Sequence, residues 1–198
     1  MKTKYVVLNG PPDSGKDFIA ELLEKRWGMH HARFKSKLYK LAIRMSGVLH
    51  GTAMRYFTDR TLKEKTENSP FQVLGASVSP RQYLQFVSEE VIKPLYGKHY
   101  FGQALIDETY ALYPNVVVSD GGFEEEVLML PGDETLIIRL HAEGCSFEDD
   151  TRDYLTDEFC SSNGFMVCDF TNEKNGEQDL LRTLETSTPL LHFLGILV

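Results

Sequence analysis

Residues 10–17 read Gly-Pro-Pro-Asp-Ser-Gly-Lys-Asp, a G-x-x-x-x-G-K pattern. Gly10 and Gly15 let the backbone curl until several N–H groups converge, an arrangement that cradles phosphate oxygens. Asp13 and Ser14 lie within the curl, and Lys16 adds a mobile charge suited to β- and γ-phosphates. A helix starting directly afterwards would aim its positive end at the same point. The chemistry implied is the holding of a nucleoside triphosphate. Where this pattern usually ends in Ser or Thr, whose hydroxyl meets Mg2+, the chain has Asp17. A carboxylate there suits Mg2+, which prefers oxygen ligands. It suits the first turn of a helix equally well, and both roles stay open.

The flanking segments carry the patterns such a loop needs. Tyr5-Val6-Val7-Leu8 reads as a buried strand, and Phe18, Ile19, Leu22, Leu23 and Trp27 form the stripe of an amphipathic helix that Gly28 ends. Further strands are read at Val116–Val118, Thr135–Ile138 and Phe165–Val167, with a weaker one over residues 30–34. These runs are continuous rather than alternating, which predicts strands covered on both faces and hence a parallel sheet between helices. Leu38, Leu41, Ala42 and Met45 mark a second helix. Ser79, Pro80 and Gln82 form the clearest helix start, an N-cap with a capping box. Two more helices are expected over residues 99–112 and after Asn175. Residues 58–80 and the acidic 144–164 stand apart as polar excursions, the second in the position of a lid.

Composition narrows the class of partner. The 198 residues are 42% hydrophobic and 25% charged, with 21 Lys+Arg against 29 Asp+Glu, a net charge of −8. No basic block is present, which argues against sequence-independent binding of nucleic acid but not against a nucleotide substrate. The three cysteines lack C-x-x-C spacing and read as reduced thiols of a cytoplasmic protein. The chain opens directly on a strand pattern rather than a signal peptide, and no apolar run is long enough to span a bilayer. Residues 189–198 form an apolar tail that packs on the body or on a partner, so monomer and homodimer stay open.

Several segments, taken in order, resemble the phage deoxynucleoside monophosphate kinases, a branch of the P-loop kinases. Gly15-Lys16-Asp17 is similar to that family's own loop ending. Phe34 with Lys37-Leu38-Tyr39-Lys40 resembles its aromatic and P-L-K segment, and Asp59-Arg60 with Lys63-Glu64 its D-R-x-x-K-E. Ser79 to Gln85 with Ser88-Glu89 resembles its S-x-R-x-x-L-Q…T-E helix. Ser119-Asp120-Gly121-Gly122-Phe123 with Glu126 resembles S-D-x-R-F-x-x-E, and Thr171-Asn172 its C-terminal T-N-x-G.

The resemblance implies a three-layer α/β fold of the P-loop kinase type, with a five-stranded parallel sheet flanked by helices. It implies a single domain over residues 1–198, with a monophosphate-binding insertion near 35–95 and a lid near 144–164. The reaction implied is transfer of the γ-phosphoryl of ATP, with Mg2+, to a deoxynucleoside monophosphate, in the cytoplasm of a host cell if the chain is phage-encoded. Gly10, Asp13, Ser14, Gly15, Lys16, Asp17 and Asn172 would then meet ATP. Phe34, Lys37, Arg60, Arg81, Gln85 and Asp120 would meet the acceptor, with Asp17 and Asp120 near the metal.

Two departures stand out. The family's Arg after the third-strand Asp is Gly122 here, and the Arg ending the next strand is Ala142. Arg139 and Arg152 are the nearest replacements as catalytic cations, beside Lys16. Arg152 reads either as a group that swings in when a lid closes or as one half of a surface ion pair with Asp149, Asp150 or Asp153. A kinase for another small phosphorylated acceptor and a nucleotide-binding regulator with little turnover are the rival readings.

Overall fold

The computed structural model describes residues 2–148, 150, 152–173 and 175–197. Its elements are β1 (Lys4–Asn9), α1 (Lys16–Trp27), β2 (His30–Ala32), α2 (Lys35–Ser46), α3 (His50–Thr58), α4 (Arg60–Lys63), β3 (Gln72–Val73) and β4 (Ala76–Ser77). Then come α5 (Pro80–Gln85), a π-helical stretch (Phe86–Ile92), α6 (Lys93–Tyr96), α7 (Tyr100–Thr109), β5 (Asn115–Gly121) and α8 (Glu124–Val127). After a 3-10 turn (Gly132–Glu134) the chain continues with β6 (Thr135–Ala142), α9 (Asp157–Ser162), β7 (Met166–Asn172), α10 (Glu177–Thr186) and α11 (Thr188–Leu194). Among the described residues, no helix is long and apolar enough to cross a membrane.

The chain forms two compact units, Lys35–Phe101 and the rest. The larger unit holds a five-stranded sheet in the order β2-β5-β1-β6-β7, every pairing parallel. Side chains alternate along β1. Val6 and Leu8 join one apolar cluster with Ile19, Leu23, Leu184 and Phe193, while Tyr5 and Val7 join another with Leu105, Val127, Leu155 and Phe165. Helices α1, α10 and α11 therefore supply one outer layer and α7, α8 and α9 the other, which is why the strands read as unbroken apolar runs. The result is the expected three-layer α/β sandwich. The tail packs on this unit through Leu190, Leu191 and Phe193; Val198 lies outside the described residues.

Two connections run on opposite faces. From β1 the chain crosses to β2 through α1, and from β5 it crosses to β6 through α8, which belongs to the other layer. Adjacent strands whose connections diverge in this way leave a crevice beyond their carboxyl ends, the usual ligand position in open α/β sheets. Here those ends are Asn9–Gly10 on β1 and Asp120–Gly121 on β5.

The smaller unit is mostly helical. Its core stacks Phe57, Phe71 and Tyr83, with ring centroids 4.8 Å apart at each step, over Ala42, Ala53 and Val87. The helix start at Ser79 carries the full capping box, with Ser79 Oγ accepting from Gln82 N–H and Gln82 Oε1 from Ser79 N–H. Instead of one α-helix, the segment turns π-helical at Phe86, a form often found at functional sites. The polar excursion at 58–80 folds into α4 and a two-residue hairpin, where Leu74 (φ 50°) and Gly75 (φ 83°) both take the left-handed conformation of a type I′ turn.

Candidate functional site

Asn9 lies at the end of β1, fully buried, and its carboxamide ties three segments together. Nδ2 donates to Gly121 O (3.3 Å) and Asp153 O (3.1 Å), and Oδ1 accepts from Leu155 N–H (2.8 Å). The loop that follows is closed by its own bonds, with Ser14 Oγ donating to Pro11 O at 2.8 Å. Asp13 (φ 63°) and Gly15 (φ 95°) take left-handed backbone conformations, which turns consecutive N–H groups to one side. A side chain at Gly15 would also meet Asn172, since a Cβ there would lie 2.6 Å from Nδ2. Asn172, on the last strand, holds the loop by donating from Nδ2 to Ser14 O (3.0 Å). Lys16 folds over the loop, its ammonium donating to Gly10 O (2.7 Å) and to Pro11 O (2.5 Å). Helix α1 starts at Lys16 with no side-chain cap, so its first N–H groups and its dipole face the loop. The arrangement is that of an anion cradle built from backbone.

Beside it stands a polar cluster. Asp17 Oδ1 accepts from Ser119 Oγ–H (2.6 Å) and from Arg33 Nη2 and Nε (3.0 and 3.2 Å). Ser119 in turn meets His31 Nε2 at 2.8 Å and Arg33 Nε at 3.3 Å. With the hydroxyl proton given to Asp17, His31 must donate, which places its proton on Nε2. Burial, helped by Arg33, pushes the His31 pKa below its ordinary value, so the ring is neutral at pH 7. Asp120 is nearly buried, and its Oδ1 accepts the Phe34 N–H at 2.8 Å, fastening the exit of β2 to β5. The Phe34 ring itself is 1% exposed and packs in the core.

The arginines are both engaged by carboxylates. Arg139 reaches Asp157 (2.9 Å) and Asp169 (2.8 Å), and Asp169 also meets His141 Nε2 at 2.6 Å. Burial alone would raise the Asp169 pKa, but hydrogen bonds from His141 and Arg139 outweigh it and hold the carboxyl below its ordinary value. Arg152 grips Asp150 with two bonds, Nε to Oδ1 (2.9 Å) and Nη2 to Oδ2 (2.6 Å). Its pKa is raised by this pairing, with Asp120 and Glu126 adding to the effect. Of the expected partners Asp149, Asp150 and Asp153, it is Asp150 that pairs; Asp149 and Thr151 lie outside the described residues.

The smaller unit carries the other expected positions. Lys37 lies in the first turn of α2, Arg60 opens α4 behind its N-cap Asp59, and Gln85 is exposed at the end of α5. Arg81, in the first turn of α5, pairs with Glu64 at 2.6 Å. Among the described residues, no group of three or more His, Cys, Asp or Glu is arranged to hold a metal. Asn9, His31 and Arg33 are contributors that sequence reasoning passed over. A cation at the exit of a strand next to the loop, as Arg33 is, was the available signal.

No family model matches the sequence, and no curated protein is significantly similar to it. Among solved structures, TT1252 from Thermus thermophilus matches with a TM-score of 0.50 and 18% identity over 100% of both chains. That likeness is one of fold. The unliganded structure of a sugar kinase from Janibacter sp. HTCC2649 matches more loosely, at TM-score 0.40 and 12% identity over 98% of this chain and 95% of that one.

Proposed function

We propose that this chain is a phosphotransferase that moves the γ-phosphoryl of ATP to a deoxynucleoside monophosphate. The observation that carries the reading is the Gly10–Lys16 loop. A strand buried from Tyr5 to Asn9, a backbone curl with two left-handed residues, a mobile ammonium and an uncapped helix start converge there. Such a loop binds phosphate through groups fixed before the ligand arrives, and phosphoryl transfer asks mainly for positioning and charge. In this reading Gly10, Asp13, Ser14, Gly15 and Asn172 shape the donor site. Lys16 moves from the loop carbonyls onto the phosphates, and Arg152 and Arg139 are the further cations. Acceptor recognition is assigned to Arg81, Lys37, Arg60 and Gln85 in the smaller unit, and to Phe34 and Asp120 in the larger one.

Oxygen-only carboxylates at Asp17 and Asp120 fit Mg2+, which typically takes one or two carboxylates and completes its shell with water and phosphate. Asp17 and Asp120 are the residues that would hold it. When bound, Mg2+ offsets charge on the phosphates. The protein's own part is to keep both carboxylates in place, through Ser119 and Arg33 for Asp17 and the Phe34 N–H for Asp120.

The test is a coupled ADP assay over a panel of nucleoside monophosphates and other small phosphorylated acceptors. Transfer to a deoxynucleoside monophosphate is expected, and Lys16→Ala should lower it by about two to three orders of magnitude with the circular dichroism unchanged. Unimpaired transfer in Lys16→Ala would sink the reading. ATP binding by calorimetry with no ADP formed on any acceptor would replace it with the regulator.

A further inference from the structure

Gly122 is a glycine for reasons of space. Its backbone is not in the left-handed region, yet a Cβ there would lie 2.8 Å from Arg152 Cδ, 3.2 Å from Cγ and 3.3 Å from Cβ. The stem of Arg152 therefore runs flat across residue 122, just beyond the carboxyl end of β5. Next along the chain, Asp153 O and Leu155 N–H are tied to Asn9, the residue that precedes the phosphate loop. Arg152 is thus one residue from an anchored point at the base of that loop. Its guanidinium is sheltered, with the side chain 24% exposed and Asp150 14% exposed.

The manner of the grip bears on what it is for. Two parallel N–H···O bonds to the two oxygens of one group are how a guanidinium meets a carboxylate, and equally how it meets a phosphate. Asp150 is only two residues away, and it also accepts Arg152's own backbone N–H (3.0 Å). The pair is therefore local. These bonds join two residues of one loop and do not themselves tie one strand or helix to another.

Building on the phosphotransfer reading, we infer that Gly122 and Asp150 form a seat for Arg152, in which the Asp150 carboxylate stands where a substrate phosphate binds. The seat keeps an arginine beside the loop and lets it turn to a phosphate by exchanging one bidentate partner for another. Gly122 is then not the loss of a cation but the space that admits one from residue 152. Asp150 acts as an internal competitor, lowering the affinity for anions until a phosphate with several negative charges displaces it.

A double-mutant cycle tests this with inorganic tripolyphosphate as the probe, measured by calorimetry on the full chain. Asp150→Asn should tighten tripolyphosphate by about threefold or more, because the competitor loses its charge. Arg152→Gln should weaken it, and the gain from Asp150→Asn should vanish in the Arg152→Gln background. Gly122→Ala should weaken binding about as much as Arg152→Gln and add nothing to it. Weaker or unchanged binding in Asp150→Asn, or additive losses from Gly122→Ala and Arg152→Gln, would overturn the seat. A thermal-melting cycle gives an answer independent of turnover: Gly122→Ala should lower Tm in the parent chain and much less beside Arg152→Ala. Equal losses in both backgrounds would also overturn it. Failure of every acceptor in the kinase assay, with this cycle intact, would remove the phosphotransfer reading and leave the seat standing.

Discussion

Two of the aspartate–arginine pairs in the sheet-bearing unit, Asp17–Arg33 and Asp150–Arg152, are built for different work. Asp17 takes its donors on one oxygen from Ser119 and Arg33, residues 102 and 16 positions away on β5 and beyond β2. Cutting that cluster loosens α1, β2 and β5 from one another. Asp150 and Arg152 are two residues apart, and each Asp150 oxygen meets one nitrogen of the fork. Cutting this pair releases Arg152 from a partner on its own loop. The same two residue types therefore give a brace in one place and an exchangeable clamp in the other, and sequence distance separates the two roles.

That contrast can be broken by measurement. The largest effect on stability is expected from Asp17→Ala, which strands the Ser119 hydroxyl and Arg33 together. The pair is half exposed, so the cost should be about 1 kcal/mol rather than the value of a buried pair, or roughly 2–4 °C in Tm. Asp150→Ala should cost half of that or less, because the pair joins residues only two positions apart and Arg152 can turn to water or to another anion. Equal Tm losses would erase the distinction. The smallest effect is one of pH. His31 has a folded-state pKa below its unfolded value, so the unfolded chain binds the extra proton more readily. The stability linked to His31 is then complete above about pH 6.5 and is lost as the pH falls through the folded value. Melting curves between pH 7.5 and 5 should show this slope, and His31→Gln should flatten it. An unchanged slope would remove His31 from the brace.

Much of the sheet was legible in the sequence because its determinants are short-range. Valine and isoleucine runs declare strands covered on both faces, and Ser79, Pro80 and Gln82 declare a helix start within four residues. The loop at residues 10–16 was legible for the same reason. What could not be read depends on partners far along the chain. Nothing near residue 9 says that Asn9 will bind residues 121, 153 and 155, and nothing near Gly122 says that Arg152 will lie across it. The π-helical turn at Phe86 lies beneath a stripe that reads equally well as α-helix, since both wind one apolar face toward the core. Leu74 is 99% exposed at the tip of its hairpin with φ 50°, a conformation that β-turn preferences assign to Asn or Gly. No local rule anticipates a leucine there.

Asn9 also has a consequence in folding time. Its side chain has nothing to hold until β5 and residues 153–155 reach the end of β1, contacts between residues more than a hundred positions apart. Contacts of that separation form late, because the chain entropy they cost must be met first. The amide of Leu155, a residue only 1% exposed, is bound to Asn9 and should therefore gain protection from hydrogen exchange only when this segment docks on the central strands. The backbone that carries Arg152 is thus fastened at the same step that completes the floor beneath the phosphate loop.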